Sequence, residues 1–233
     1  MRKNKMNTKN QRIVLVSDFD GTISKQDFFM AVVNNLLNES DMQPWHDFYD
    51  KKISHFEALS RIYSKIRLSK EDLDKFILEI PIEEKFLETV EYCNKHNIGL
   101  YILSAGADYY INIILKNLGI KDNVKLYTNK SYYIQEEGLK IIDPKPTDPF
   151  YSYKYGIDKK SIIQFIKSQY DYCIFAGDGR FDFPPAMVAD FIFAKDRLLK
   201  LCDELEVKTT KFDSYDEILN HIKMVNENKF CNR

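Results

Sequence analysis

The sequence predicts an α/β protein with a doubly wound, mostly parallel sheet and a helical cap inserted between the first and second strands. Short apolar runs recur along the chain and end in small polar residues, and segments with helical periodicity separate them. Between the first two runs lie several helical patterns, although a simple crossover between parallel strands needs only one helix. These observations together predict the sheet and the insertion.

The first apolar run opens the segment from Ile13 to Thr22, which reads IVLVSDFDGT. It predicts a buried strand whose carboxyl end carries polar groups, where open α/β sheets bind their ligands. The spacing of Asp18 and Asp20 places both carboxylates on one side of extended backbone, close enough to share a metal ion or one substrate. Gly21 permits a sharp turn, and Thr22 offers a hydroxyl and an N–H to an anion.

The composition indicates a soluble globular protein with one substantial core. The chain has 233 residues, of which 44% are hydrophobic and 30% charged, and its formal net charge is −1. This near-zero net charge does not indicate a basic surface for binding nucleic acid or an anionic membrane. The basic start, MRKNKMNTKNQR, is interpreted as a frayed tail, because the four apolar residues after it are too few for a signal peptide or a membrane span.

The cysteine and histidine spacings favour a reduced, cytoplasmic protein without a zinc site. No CxxC, HxxxH or HExxH pattern is present, and no GxSxG motif marks a nucleophilic serine. Zinc hydrolysis and serine-triad chemistry are therefore poorly supported. The four cysteines are expected to be reduced thiols: Cys93, Cys173, Cys202 and Cys231.

The inserted region shows three helix starts. Asp27, Ser54 and Ser69 each stand where an N-cap residue is expected before a helical pattern. Such a helical insertion would lie over the carboxyl end of the sheet, shield the aspartates from water and contact the rest of the substrate. The predicted division is a cap domain at 24–85 and an α/β core domain at 1–23 and 86–233.

The second apolar run, Leu100 to Leu103, is followed by Ser104, Ala105 and Gly106. Asp108 is predicted to cap the next helix, so Ser104 is expected in a strand-to-helix turn whose N–H groups face an anion. Further on, Val124 to Ile142 alternates like strands, with a hairpin turn at Glu137-Gly138.

The helix predicted over Ile157 to Gln169 begins with Lys159 and Lys160 in its first turn. Positive charge there opposes the helix dipole, so a bound phosphate or a carboxylate cluster is expected to compensate it. Solvated surface lysines are the alternative. A further strand, Tyr172 to Ala176, ends in GDGRFD, and a last short strand is predicted at Phe191 to Ala194.

Four segments, DFDGT, LSAG, the lysine at the helix start and GDGRFD, together resemble the motif set of the haloacid dehalogenase (HAD) superfamily of phosphatases and phosphotransferases. The resemblance extends from Ile13 to at least Leu201 and implies a Rossmann-like core. The helical insertion resembles the cap of the phosphoserine-phosphatase-like branch. The run ADFIFAKDRLLKLC is more similar to the MtnX-like, methionine-salvage keto-pentenyl phosphate phosphatases.

The resemblance implies roles that agree with elementary phosphate chemistry. Asp18 would be the nucleophile that forms an aspartyl-phosphate, and Asp20 would protonate the leaving oxygen and then activate water. Mg²⁺ would bind Asp18, the backbone carbonyl of Asp20, and Asp178, with Asp182 just outside its coordination shell. In the purely structural alternative, the aspartates only cap turns, and Asp182 only caps the helix that follows it.

The same resemblance implies residues that hold the phosphate and read the leaving group. Lys159 is favoured as the phosphate lysine over Lys160 and Lys154. The phosphate-binding set is Gly21, Thr22, Ser104, Ala105, Gly106 and Lys159. The substrate-reading set is Asp27, Phe28, Arg61 and Arg180, although Arg61 lies close to, and not at, the position of the family's carboxylate-reading arginine.

Aromatic residues near the predicted strand ends suggest an apolar or cationic leaving group, such as a thioether chain or choline. The alternative is that these rings only pack the cap on the core. The set is Phe28, Phe29, Tyr109, Tyr110, Tyr151, Tyr153 and Phe181.

The function that follows is a magnesium-dependent phosphomonoesterase acting on a small phosphorylated metabolite in the cytoplasm. The substrate candidates are a methionine-salvage keto-phosphate, phosphoserine, phosphocholine and phosphoethanolamine. A phosphotransferase would use the same motifs, and a non-catalytic phosphometabolite-binding protein is the rival from another class. Neither nucleic acid nor a membrane is expected as a partner, and a homodimer is compatible with the sequence although no feature points to it.

Overall fold

The computed structural model describes residues 12–231, so the predicted basic tail lies outside the described residues except for Arg12. Of the side chains, those of 228–231 are not described. The strands are β1 (Ile13–Ser17), β2 (Gly99–Ala107), β3 (Lys125–Asn129), β4 (Ser131–Ile134), β5 (Gly138–Ile141), β6 (Tyr151–Ser152), β7 (Gly156–Ile157), β8 (Tyr172–Gly177), β9 (Phe191–Ala194) and β10 (Thr210–Lys211).

Ten α-helices are described between and after these strands. They are α1 (Phe28–Leu36), α2 (Gln43–Tyr49), α3 (His55–Tyr63), α4 (Lys70–Leu78), α5 (Phe86–Lys95), α6 (Asp108–Asn117), α7 (Lys159–Lys167), α8 (Phe183–Ala186), α9 (Asp196–Glu204) and α10 (Tyr215–Cys231). Short 3₁₀ helices occupy Glu39–Met42, Lys121–Asn123 and Arg180–Asp182.

The central sheet has six strands in the order β10-β9-β8-β1-β2-β3, and every pairing in it is parallel. The predicted α/β class is therefore confirmed. Alternate residues of β1 enter separate hydrophobic clusters: Ile13 and Leu15 join one, and Val14 and Val16 join the other. Because the sheet is buried on both faces, its central strand reads as a continuous apolar run.

Helices α1 to α4, called the inserted helices below, lie between the first two strands of the sheet. The predicted N-caps are confirmed, since the side chains of Asp27, Ser54 and Ser69 accept backbone N–H groups at 2.7, 3.1 and 3.0 Å. An antiparallel bridge between Ser24 and Ile82 joins the two ends of the insertion. The division into a separate cap domain at 24–85 stays a prediction.

Two predictions were wrong, one about the end of the second strand and one about the start of the helix after it. Strand β2 does not end at Leu103 but runs on to Ala107, so Ser104 lies within the strand and not in a turn. A shift in the pairing register of β2 with β3 between Leu103 and Ala107 accommodates this extension. Asp108 is the first residue of α6 and not its N-cap, and its carboxylate instead accepts the N–H and the hydroxyl of Ser131 at 2.8 Å each.

The hairpin predicted around Glu137-Gly138 is formed by the antiparallel strands β4 and β5. It packs against the inserted helices, where the hydroxyl of Tyr133 donates to the carbonyl of Leu68 at 2.5 Å. Gly138 adopts a φ of +84°, and a Cβ at this position would lie 2.5 Å from the carbonyl oxygen of Ser64. The hairpin therefore extends the core beside α3.

Within the described part of the chain, Cys93, Cys173 and Cys202 are buried and form no disulfide, as the spacing predicted. None of the helices described for residues 12–231 has the length and apolar character needed to cross a bilayer.

Gly138→Ala is expected to lower the free energy of unfolding by about 1–3 kcal/mol more than Gly119→Ala, as measured by urea denaturation. Gly119 is the matched control, because its φ is +70° but a Cβ there would meet nothing within 4 Å. Both substitutions strain the backbone, and only the first forces the hairpin away from α3. Equal losses would show that the hairpin does not need this close approach.

Candidate active site

A buried lysine links two carboxylates at the carboxyl end of the sheet. The Nζ of Lys159 donates to Asp18 Oδ1 at 2.7 Å and to Asp182 Oδ1 at 2.8 Å. Its exposed neighbour Lys160 makes no such contact, and the ammonium of Lys154 lies 5.0 Å from the centroid of the Tyr155 ring. Of the three candidate lysines, Lys159 is therefore the one that hydrogen-bonds to the aspartates in the described part of the chain.

The pairing of β1 with β8 places two aspartates side by side. Asp18 follows β1 and its N–H donates to Ala176 O at 2.9 Å, while Asp178 follows β8. The hydroxyl of Thr22 donates to Asp178 Oδ1 at 2.9 Å. A Cβ on Gly21 would lie 2.5 Å from Asp178 Oδ2. Gly21 and Thr22, expected at the phosphate, are therefore placed against Asp178.

Asp182 is held by hydrogen bonds on both carboxylate oxygens. Oδ1 accepts from Lys159, and Oδ2 accepts the N–H groups of Gly179 at 2.9 Å and Asp178 at 3.3 Å. It stands at the N-cap position of α8, but its side chain does not cap that helix. This geometry lets Asp182 fix Lys159 and the loop that carries Asp178.

Carboxylate oxygens of Asp18, Asp178 and Asp182, called the carboxylate cluster below, lie within 4.8 Å of one another. Lys159 supplies one positive charge against these three negative groups. Burial raises the pKa of Asp178 to about 7, and the charge of Asp182 adds to this. Burial alone would lower the pKa of Lys159, but Asp18 and Asp182 outweigh it and hold that pKa above its ordinary value. The all-oxygen donor set and the unbalanced charge fit a hard divalent cation such as Mg²⁺.

Asp20 occupies a different environment. Its Oδ1 accepts the N–H of Phe28 at 3.1 Å, and its Oδ2 accepts from the hydroxyls of Ser104, at 3.3 Å, and Tyr110. Burial and then the nearby charge of Asp27 raise the pKa of Asp20 to about 8. At neutral pH this carboxyl is mostly protonated, which suits a group that must give up a proton.

The segment after Leu103 is fixed by the neighbouring strand. Ser104 Oγ accepts the N–H of Gly106 at 3.0 Å. The side chains of Asn129 and Thr128 donate to the carbonyls of Ala105, at 2.9 Å, and Gly106, at 3.0 Å. The structure thus brings Ser104 to Asp20 and holds the next two peptides rigidly, whereas phosphate binding by these residues stays a prediction.

The predicted substrate-reading residues are less clearly joined to the site. Asp27 caps α1, and Phe28 is fully buried. Arg61 forms an ion pair with Glu57 along α3 at 2.5 Å, and its side chain is 52% exposed. Within residues 12–231, the side chains of Arg61 and Arg180 form no ion pair with the carboxylate cluster. An exposed helical ion pair argues against Arg61 as a reader of the substrate.

Sequence reasoning missed the roles of Tyr110 and His55. Tyr110 appeared only in the aromatic set, but its buried hydroxyl donates to Asp20 and its ring stacks on Phe28 with centroids 4.1 Å apart. A buried tyrosine hydroxyl needs a hydrogen-bond partner, but the burial of Tyr110 is seen only in the fold, so no sequence signal marked this contact. His55 follows the N-cap Ser54 and packs its ring on Phe181 with centroids 4.9 Å apart. No sequence pattern marked it.

The family described as "Putative Phosphatase" matches residues 13–196, which contain the whole carboxylate cluster. The chain belongs to that family of phosphatases. It is a phosphoric monoester hydrolase of the haloacid dehalogenase type, similar to the MtnX and phosphoserine phosphatases, as the motifs implied.

Named relatives of this phosphatase match nearly its full length. A 2-hydroxy-3-keto-5-methylthiopentenyl-1-phosphate phosphatase of Bacillus cereus (strain ATCC 10987 / NRS 248) is 28% identical over 219 residues, covering 93% of this chain and 99% of the relative. The protein of the same name from Bacillus mycoides (strain KBAB4) is 26% identical, with the same coverage of both chains.

Solved structures show the same fold. A phosphoserine phosphatase with a phospho-aspartyl intermediate analogue superposes with a TM-score of 0.65 at 17% identity, covering 91% of this chain and 99% of the other. A probable phosphoserine phosphatase from Vibrio cholerae gives a TM-score of 0.68 at 14% identity, covering 95% of this chain and 67% of the other.

Lys159→Met is expected to destabilise the phosphatase by about 3 kcal/mol, because it leaves buried carboxylates without their lysine. Lys160→Met, at the exposed neighbouring position, should change the free energy of unfolding by less than about 0.5 kcal/mol. Urea denaturation of both variants without divalent cations measures the difference. Similar stabilities would mean that Lys159 does not balance the cluster.

Proposed function

We propose that this phosphatase hydrolyses a small phosphate monoester through an aspartyl-phosphate on Asp18, with Mg²⁺ bound at the carboxylate cluster. The observation that carries the proposal is the contrast between two neighbouring aspartates. Burial and the charge of Asp182 raise the pKa of Asp18, but the Lys159 ammonium at 2.7 Å opposes this and stabilises its carboxylate, whereas Asp20 has no described cationic partner and its pKa is about 8. A nucleophile and an acid therefore stand two residues apart.

The reaction then proceeds in two steps. A carboxylate oxygen of Asp18 attacks phosphorus, the bond from phosphorus to the leaving oxygen breaks, and Asp20 gives that oxygen its proton. The ionised Asp20 next takes a proton from a water molecule as the water oxygen attacks phosphorus. The bond between phosphorus and Asp18 breaks, inorganic phosphate leaves, and both carboxyl groups return to their starting states.

Other residues hold the phosphoryl group during these steps. The ammonium of Lys159, the hydroxyl of Ser104 and the N–H groups of Ala105 and Gly106 are the proposed donors to its oxygens. Support comes from Ser104, which hydrogen-bonds to Asp20, and from the carbonyls of the next two residues, which are tied to β3. The hydroxyl of Ser104 and the N–H of Gly106 donate to Asp20 and to Ser104 Oγ in this structure, so both would turn to the phosphoryl oxygens when substrate binds.

The proposed ligands of Mg²⁺ are the carboxylates of Asp18 and Asp178 and the backbone carbonyl of Asp20. When bound, the ion would offset the negative charge of these carboxylates and of the phosphoryl oxygens of the substrate. Asp182 is not counted as a ligand, since both of its oxygens already accept hydrogen bonds. Thr22 supports this assignment because its hydroxyl orients Asp178.

The substrate is proposed to be the phosphate ester of a small metabolite. The named relatives that match 93% of the chain carry the name of a keto-pentenyl phosphate with a methylthio group, which makes such an ester the first compound to test. Phosphoserine, phosphocholine and phosphoethanolamine are the comparison substrates. The solved phosphoserine phosphatases bear on the fold alone, and Arg61 is engaged with Glu57.

A phosphotransferase would use the same residues, with an acceptor hydroxyl in place of water. Product analysis in the presence of an added alcohol separates the two reactions, because only transfer yields a new phosphate ester. A protein that merely binds phosphate esters is disfavoured, since binding does not require a protonated Asp20 beside Asp18.

Asp18→Asn should abolish hydrolysis of every phosphate ester, with p-nitrophenyl phosphate as the first assay. Asp20→Asn should slow hydrolysis of an alkyl phosphate by about 10²–10⁴-fold. Release of p-nitrophenolate in the first turnover should slow far less, because p-nitrophenolate leaves without needing a proton, whereas the later hydrolysis of the aspartyl-phosphate should slow equally for both esters. Rapid-quench measurement of the first turnover separates the two roles of Asp20, and steady-state kinetics with Mg²⁺ and with a chelator measure overall activity, which the chelator should remove.

The exposed Asp203 provides a control, since Asp203→Asn should retain the wild-type rates. Equal slowing of leaving-group release from both esters in the first turnover of Asp20→Asn would contradict its role as the proton donor. Full activity of Asp18→Asn would contradict the whole mechanism.

A further inference from the structure

Tyr110 places a buried hydroxyl against the proposed proton donor, and the proposed reaction gives this hydroxyl no task. Tyr110 lies in the first turn of α6 and is fully buried. Its hydroxyl donates to Asp20 Oδ2. A phenol has one hydrogen to donate, so in this arrangement that hydrogen is committed to Asp20. Tyr110 therefore contacts the acid directly.

Two donors would remain on the Asp20 carboxyl when Ser104 is engaged with substrate. In the structure Oδ1 accepts the N–H of Phe28 at 3.1 Å, and Oδ2 accepts from Ser104 at 3.3 Å as well as from Tyr110. Ser104 is a proposed donor to the phosphoryl group and would then leave Oδ2. Phe28 and Tyr110 would stay, with one donor on each oxygen. Such a pair of hydrogen bonds fixes the rotation of the carboxyl group about its Cβ–Cγ bond.

The ring of Tyr110 is itself held from two sides. It stacks on Phe28 with centroids 4.1 Å apart and 19° between the ring planes. It also meets Phe19 edge-on, with centroids 6.0 Å apart, and Phe19 lies between the two proposed catalytic aspartates. A buried ring packed in this way is restricted in its orientation, so its hydroxyl is in place before substrate binds.

Gly106 leaves the space that this hydroxyl occupies. A Cβ at Gly106 would overlap the hydroxyl oxygen of Tyr110 and lie 3.1 Å from Asp20 Oδ2. Gly106 is not one of the glycines with positive φ, so space and not backbone conformation calls for glycine here. A larger residue would push the hydroxyl away from the acid. The segment after Ser104 thus admits the hydroxyl of Tyr110 to Asp20.

We propose that Tyr110 is a positioning residue for proton transfer, whose hydroxyl holds the Asp20 carboxyl in line with the leaving oxygen of the substrate. The proton passes from Asp20 to the leaving oxygen, and the hydrogen of Tyr110 stays on its own oxygen. Because proton transfer depends on distance and alignment, loss of the hydroxyl slows only the steps in which Asp20 exchanges a proton. This inference rests on the proposed reaction and adds to it a residue outside the four motifs.

Tyr110→Phe tests this role, because it removes the hydroxyl and keeps the ring that stacks on Phe28. Rapid-quench measurement of the first turnover compares hexanol release from hexyl phosphate with p-nitrophenolate release from p-nitrophenyl phosphate. Hexanol release should slow by about tenfold, the value of roughly one hydrogen bond. Release of p-nitrophenolate should stay within about twofold of the wild-type rate, because it needs no proton. The ester concentration that gives the half-maximal rate should change by less than about twofold for both, since Tyr110 acts through Asp20 and not on the substrate.

Tyr133→Phe is the matched control. The hydroxyl of Tyr133 also joins the core to the inserted region, by donating to the carbonyl of Leu68 at 2.5 Å, and this hydrogen bond does not involve Asp20. The ratio of the two release rates should therefore stay at the wild-type value.

A double-mutant cycle shows whether Tyr110 acts through Asp20. When Asp20→Asn is already present, adding Tyr110→Phe should slow hexanol release by less than about a further twofold, whereas independent effects would multiply. Partial loss of folded protein cannot produce the expected pattern, because it lowers both release rates by the same factor. Tyr110→Leu removes the same hydroxyl and supplies the comparison if Tyr110→Phe does not fold.

Equal slowing of both releases in Tyr110→Phe, or hexanol release at the wild-type rate, would overturn the positioning role of Tyr110. A full tenfold loss on top of Asp20→Asn would overturn it as well, since the hydroxyl would then act through another group. In these cases a selective loss of hexanol release in Asp20→Asn shows that the proposed reaction itself stands. Absence of that selective loss contradicts the proposed role of Asp20, and the inference with it.

Discussion

The site depends on the two hydrogen bonds of the buried Lys159. Its Nζ lies 2.7 Å from Asp18 Oδ1 and 2.8 Å from Asp182 Oδ1. One ammonium cannot balance the three carboxylates of the cluster, so the folded chain leaves negative charge in a place where water is scarce. A divalent cation bound there would compensate that excess, and the resulting site could accept the phosphoryl group that the proposed chemistry requires. The charges of Lys159 and the carboxylate cluster therefore affect both the stability of the fold and the proposed reaction.

Sheet topology explains why these groups meet. β1 and β8 are adjacent and parallel, so Asp18 and Asp178 come side by side although 160 positions separate them in the sequence. Strand β2 lies on the other side of β1 and brings Ser104 to Asp20. The inserted helices contact this edge where the N–H of Phe28 donates to Asp20 and the ring of His55 packs on Phe181.

Much of this was predictable because the informative signals are local. The apolar runs, the N-caps Asp27, Ser54 and Ser69, and the short motifs identified the sheet, the insertion and the catalytic candidates. What could not be predicted depends on distant partners. The hydroxyl of Thr22 donates to the carboxylate of Asp178, which is distant in the sequence, and the extension of β2 past Ser104 depends on a register shift against β3. Tyr110 and His55 acquire their surroundings only from tertiary packing.

The central claim is that Asp18 becomes phosphorylated during each turnover. A single turnover with a substrate radiolabelled in its phosphoryl group, quenched rapidly in acid, tests this directly when the digested peptides are analysed by mass spectrometry. The account predicts that label appears on Asp18 before inorganic phosphate accumulates, and that Asp18→Asn never carries it. Release of phosphate with no labelled protein at any time, or with label on another residue, would contradict the account.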